Sequence, residues 1–136
     1  MPQTPDIAPI VNRPDLFSSE NGIHITVSRP DYAEGQLDVR SSSHNLHGTI
    51  HGGCLYTLAD CVAGTTAIAH KGKSGVTANS SMEFLRPATG SVIRCIGKPK
   101  KAGSTLSVIG VELFNDQNEL VATGTFTFFL FDPKKD

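Results

Sequence analysis

The sequence lacks an excess of charge of either sign. Its 12 Lys and Arg stand against 13 Asp and Glu, a formal net charge of -1 over 136 residues. With no basic stripe, nucleic-acid binding has little electrostatic support. It also lacks an apolar run near the roughly 18 residues a membrane span needs, so no membrane partner is expected. The first residues, M-P-Q-T-P-D-I, contain neither a basic segment nor an apolar one. A cleaved secretion signal is therefore not expected, and the expected location is the cytoplasm. Cysteine is scarce: Cys54, Cys61 and Cys95 are an odd number at no metal-like spacing. That fits a reduced compartment better than a disulfide framework. Neither Cys54 nor Cys61 has an obvious partner base, so both read as small helix-packing residues.

What is present suffices for one domain. A chain of this length, 38% hydrophobic, buries roughly two thirds of its unfolded surface. Residues 1–20 read as an N-terminal extended arm and residues 21–136 as a single domain. Pro2, Pro5, Pro9 and Pro14 block a continuous helix in the arm. A short helix around residues 15–19 would let Leu16 and Phe17 dock on the body. Residues 22–28 alternate, with Ile23, Ile25 and Val27 on one side of a half-buried strand. Pro30 and Asp31 mark a turn, and residues 35–40 form a second strand.

The chain is organised around residues 45–60, N-L-H-G-T-I-H-G-G-C-L-Y-T-L-A-D. This stretch begins as a polar loop and ends in a helix. From Cys54 onward, Leu55, Leu58, Ala59, Val62 and Thr66 recur at helical spacing. Gly53, Thr57, Asp60, Gly64 and Ala67 fall on the other side. Gly72 and Gly75 end the helix. Strands follow over residues 76–85, 91–98, 105–114 and 120–131, joined by short turns that favour antiparallel pairing. Ser107, Ile109, Val111 and Leu113 share one side of the third. Phe126, Phe128, Phe129 and Phe131 read as sheet core, with one or two lining a pocket. The architecture is α+β: one long central helix on one face of a curved antiparallel sheet of five to six strands. Such a layout leaves an edge or a helix face to cover, and self-association is the usual solution.

Asn45, His47, His51 and Asp60 are the reactive side chains of the central stretch. Taken alone, each has a plain structural explanation. An acid on the polar side of a helix is ordinarily solvated, and Gly52-Gly53 is ordinarily a tight turn into the helix. His44, His47 and His51 have no nearby acid to complete a ligand set, so no metal is expected.

With the glycine pair, the helix and the strand order in place, the chain resembles the hotdog-fold thioesterases, within them the PaaI-type (phenylacetic acid degradation) branch. The segment N-x-x-G-x-x-H-G-G-x-x-x-x-L-x-D carries the likeness, here Asn45, Gly48, His51, Gly52, Gly53, Leu58 and Asp60. The strand V-T-A-N-S-S-M-E-F-L-R-P-A, residues 76–88, adds to it. The resemblance implies an acyl-CoA thioesterase that releases free acid and CoA from an aromatic or a medium- or long-chain substrate. It implies that an unpaired Gly53 N–H at the helix start binds the thioester oxygen. Asp60 becomes nucleophile or general base, Asn45 and His51 orient or polarise the thioester, and Thr77 positions water. Gly52, Arg86 and Lys98 become substrate-binding candidates, although nothing local selects Lys98 over Lys100 or Lys101 for a CoA phosphate. No metal or redox cofactor is implied.

One spacing argument stands beside these roles. Asp60 lies seven residues beyond Gly53, about 10.5 Å along a helix. A carboxylate that far away cannot serve a carbonyl held at its own helix start. It can do so if a second copy of the helix runs antiparallel across a two-fold axis. A homodimer, or a homotetramer built as a dimer of dimers, is therefore expected. Two other functions remain on the same fold. A carrier-protein thioesterase would need a basic patch at the tunnel mouth, and a non-catalytic acyl-CoA-binding regulatory module would have no need of the acid. A purely structural dimerisation domain fits the polar loop least well.

Overall fold

The computed structural model describes residues 6–134, so Pro2, Pro5, Lys135 and Asp136 lie outside the described residues. Two four-residue helices open the chain, α1 (Ala8–Val11) and α2 (Phe17–Glu20). Strands β1 (Ile23–Arg29) and β2 (Tyr32–Asp38) form a hairpin, and the long helix α3 (Gly52–Ile68) follows. Four strands complete the chain: β3 (Ser74–Phe84), β4 (Val92–Lys101), β5 (Leu106–Phe114) and β6 (Leu120–Phe131). They form one six-stranded sheet in the order β1-β2-β4-β5-β6-β3, antiparallel throughout. This is the expected helix-on-sheet arrangement.

The helix lies on one face and touches every strand. Leu55, Leu58, Ala59, Val62 and Thr66 are all buried beneath it, as their spacing predicts. Ala63 and Ala67 are buried too, so Ala67 belongs to the sheet side rather than the open side. Opposite the helix, Ile93 and Cys95 of β4, Ile109, Val111 and Leu113 of β5, and Phe126 of β6 complete the core. Removing one fully enclosed side chain, Leu58 for instance, costs roughly 2–5 kcal/mol. The buried hydroxyls of Thr65 and Thr66 are satisfied inside the helix by the carbonyls of Cys61 and Val62, both at 2.8 Å.

Two sheet glycines let the helix come this close. A Cβ at Gly35 would stand 2.6 Å from Val62 Cγ2, and one at Gly97 would stand 2.5 Å from Thr66 Oγ1. Both distances are shorter than van der Waals contact, so any side chain there would push the helix off the sheet.

Several expectations shift. Helix α3 stops at Ile68, and Gly75 sits inside β3 rather than ending the helix. The β1 alternation breaks at a bulge between Ile25 and Val27, so Ile23 and Ile25 are buried while Val27 is only half-buried. Phe129 and Phe131 are not core. They alternate outward from Phe128 and stack on each other with ring centroids 6.1 Å apart. The helix expected near residues 15–19 forms at Phe17–Glu20, and a second appears at Ala8–Val11 with Pro9 in its first turn. Proline there lacks only an N–H that the helix leaves unpaired.

The two sheet edges differ. At β1, the Asn12 side chain acts as a substitute strand: its Nδ2 donates to the Ile25 carbonyl (2.9 Å) and its Oδ1 accepts the Ile25 N–H (2.8 Å). Strand β3 is bonded only to β6, and its other edge is open.

Candidate active site

The loop before α3 is knitted together by Asn45. Its Oδ1 accepts the N–H groups of His47 (2.9 Å) and Thr49 (3.2 Å), and its Nδ2 donates to Thr49 Oγ1 (2.9 Å). The backbone turns at Gly48, whose φ of 81° suits glycine. Backbone bonds then fix the last two loop residues: Ile50 N–H to the Ala88 carbonyl (2.9 Å) and His51 N–H to the Ser43 carbonyl (2.8 Å). Asn45 thus shapes the loop with the same groups that were expected to orient substrate.

His51 is the N-cap of α3, and its Nδ1 accepts the Gly53 N–H at 2.8 Å. A neutral ring accepting at Nδ1 carries its proton on Nε2, and that Nε2–H has no hydrogen-bond partner among the described residues. The unpaired Gly53 N–H expected from the sequence is therefore already engaged, because the imidazole folds back over the glycine. A Cβ at Gly53 would stand 2.9 Å from His51 Nδ1, so glycine at this position makes room for the cap. The Gly52 N–H, first in the helix, has no hydrogen-bond partner among the described residues.

Asp60 is half-buried two turns further along α3. Its Oδ1 accepts a hydrogen bond from Thr77 Oγ1 at 2.6 Å. The β3–β6 register slips between Thr77 and Asn79, and such a bulge re-aims the side chains beside it. The expected pair of Asp60 and Thr77 is thus brought together.

The remaining candidates fall into separate concavities. His51 and Gly53 share one with Phe17, Cys54 and Thr57. Asn45, Gly52 and Arg86 share a second with Phe84 and Pro87. Asp60 and Thr77 line a third. Arg86 donates to Glu119 Oε2 at 2.7 Å, half-exposed. Lys98 stands apart, in a groove with Lys100, Glu83 and Glu112. Strand alternation explains it: Ile93, Cys95 and Gly97 of β4 face the helix, so Lys98 faces away. Within a single chain the start of α3 and Asp60 therefore open onto separate concavities.

Burial acts on all three thiols in the same direction. Burial pushes the Cys61 thiol up; its contact with Ser18 opposes this, and the Asp60 charge adds to it. Burial likewise raises Cys54, and raises buried Cys95 much further. No group of three metal-ligating side chains occurs among the described residues, and no helix among them is long and apolar enough to cross a membrane.

Val11, Leu16 and Ser18 stand with Asp60 at one concavity, a contact that no local pattern in the sequence announces. Of the two arm residues expected to dock, Leu16 does, whereas Phe17 stays 69% exposed. Phe128 is the phenylalanine that reaches the acid's concavity.

The sequence matches the thioesterase superfamily over residues 47–122. It is 30% identical over 129 residues to a Mycobacterium tuberculosis protein named as a candidate esterase, covering 91% of this chain and 92% of the relative. It is 29% identical over 109 residues to acyl-coenzyme A thioesterase PaaI of Escherichia coli, covering 79% of this chain and 77% of that protein. A hypothetical thioesterase of Streptococcus pneumoniae, solved with coenzyme A, superposes with a TM-score of 0.76 at 31% identity, over 83% of this chain and 88% of that one.

Proposed function

The chain belongs to the thioesterase superfamily, in its PaaI-type hotdog branch, and is a thioester hydrolase; on that premise we propose that it cleaves an acyl-CoA to free acid and CoA at a site shared by two protomers. The observation that carries the chemistry is the Asp60 carboxylate held by Thr77. Thr77 spends its proton on Asp60 Oδ1. Its own lone pairs and Asp60 Oδ2 are then two adjacent acceptors, an arrangement that holds a water by both hydrogens. Of the two roles open to Asp60, this favours general base over nucleophile.

The reaction follows. The thioester carbonyl oxygen binds at the start of α3, where it takes the Gly53 N–H from His51 Nδ1 beside the open Gly52 N–H. The positive end of the helix stabilises charge that grows on that oxygen. Water attacks the carbonyl carbon as Asp60 takes its proton. The tetrahedral intermediate collapses, the C–S bond breaks, and the leaving thiolate takes the proton held on Asp60, which gives CoA and restores the carboxylate. Asn45 holds the loop, and His51 Nε2–H is a second polarising donor. Arg86 shares a concavity with Gly52 at the donor end. Lys98 stands on the far face of the sheet, away from both ends of this site.

The two halves meet only between chains, and the open edge of β3 is the surface for this. Val76 (54% exposed) and Phe84 (50%) are bare apolar groups on that strand, whereas the β1 edge is already covered by Asn12. An open apolar edge strand is a ready site for a second copy. Pairing β3 with its two-fold mate also sets the Gly53, Asp60 and Gly64 side of one α3 against the other.

The test is release of free CoA thiol from a panel of aromatic and straight-chain acyl-CoAs. Asp60→Asn is expected to lose at least about 10²-fold in kcat while still binding acyl-CoA. Equal turnover by the two proteins would remove Asp60 from the mechanism.

A further inference from the structure

The concavity that holds Asp60 has a volume of about 390 Å³, and three of its lining residues come from the N-terminal arm: Val11, Leu16 and Ser18. Across from them stand Ile68, Val76 and Phe128. Asp60 is its one ionisable carboxylate, and no lysine or arginine lines it. A pocket with one acid at an apolar wall suits an apolar acyl group whose carbonyl lies at the acid.

The arm is pinned on both sides of this wall. Asn12 makes its two bonds to the backbone of Ile25. Beyond α2, Arg40 Nη1 donates to the Glu20 carbonyl at 2.8 Å. Residues 13–19 therefore span two fixed points. Within that span the single turn of α2 sends neighbours in different directions. Leu16 and Ser18 line the acid's concavity, and Phe17, 69% exposed, overhangs the concavity of His51 and Gly53.

Resting on the reading that Asp60 is the catalytic base, we propose that Leu16 and Val11 form the closing wall of the acyl pocket and set the length of acyl group accepted, with Asn12 as the residue that positions the wall. The acyl chain runs from Asp60 along Ile68 and Phe128 until it meets Leu16. Chains that pass this wall must displace the arm.

The experiment measures kcat/KM for acetyl-, hexanoyl-, decanoyl-, palmitoyl- and phenylacetyl-CoA with the wild type, Leu16→Ala, Val11→Ala, Asn12→Ala and Ser18→Phe. Trimming the wall in Leu16→Ala or Val11→Ala raises the preference for the next longer acyl chain about tenfold, the scale on which a hydrophobic pocket separates homologues. Asn12→Ala shifts it the same way by freeing the arm, without lowering kcat on the best short substrate. Ser18→Phe moves the preference towards shorter chains, which keeps the test decisive if a truncation fails to fold. A merely structural arm would lower every substrate alike and leave the ratios fixed. Unchanged ratios in folded variants, with the wild type active, overturn the wall and leave the thioesterase reading standing. An inactive wild type on the whole panel overturns the acyl-CoA reading, and the wall with it.

Discussion

Thr77 Oγ1 donates to Asp60 Oδ1 across 2.6 Å, joining the open-edged strand β3 to the central helix at the point where the β3–β6 register slips. Thr77→Val keeps the branched shape and removes the donor. The expected result is a fall in kcat of about 10-fold or more with KM nearly unchanged, since the lost group orients a base rather than binding substrate. Thr77→Ser restores the hydroxyl and most of the rate. Steady-state kinetics on the best acyl-CoA reads both.

Gly53→Ala tests the donor end. Its Cβ would stand 2.9 Å from His51 Nδ1, so the imidazole must leave the cap. Loss of an N-cap costs about 1 kcal/mol, visible as a lower Tm. The displaced imidazole also takes its Nε2–H away from the thioester carbonyl, and loss of one such donor costs about 10²-fold in kcat. Gly52→Ala is the contrast, because its Cβ meets only the Phe84 ring at 3.5 Å. It should leave stability close to wild type.

The cysteines make a pH prediction. Burial raises the Cys61 thiol, with the Asp60 charge adding to it against a lowering contact from Ser18. Alkylation by iodoacetamide should therefore be slow at neutral pH and rise only above the ordinary thiol pKa of about 8.5. Cys61→Ala should keep its thioesterase activity. Cys95 is raised further by burial. With its folded pKa above the unfolded value, its contribution to stability is full below the unfolded pKa. That contribution is lost as pH rises through the folded pKa. Denaturant melts at rising alkaline pH should show this fall, and Cys95→Ala should flatten it.

Much of this was legible because helices and strands have different periods. The α3 stripe of Leu55, Leu58, Ala59 and Val62 and the β5 face of Ser107, Ile109, Val111 and Leu113 lie where simple counting puts them. Parity also held unused information. Once Phe126 and Phe128 face the helix, Phe129 and Phe131 must face away, and inward Gly97 sends Lys98 outward. Bulges were not legible, because one extra residue in β1 or β3 leaves no mark in composition. Nor was the His51 cap, since N-cap preference favours Ser, Thr, Asp and Asn. The imidazole fits here because Gly53 has no side chain. The arm's place against Asp60 depends on the Asn12 bonds to Ile25, a contact between residues 13 apart in sequence that no local pattern announces.

The claim that the site is divided between two chains has a direct test. Gly53→Ala and Asp60→Asn are each made as separate chains, each with little activity alone, and are then unfolded and refolded together in equal amounts. In a mixed dimer one site carries both lesions and the other carries neither. Random pairing makes about half the dimers mixed, so about a quarter of wild-type sites should return. Recovery of CoA release to about that level is the predicted result. If activity stays at the sum of the two separate variants while the dimer forms normally, donor and acid belong to one chain, and the shared site is wrong.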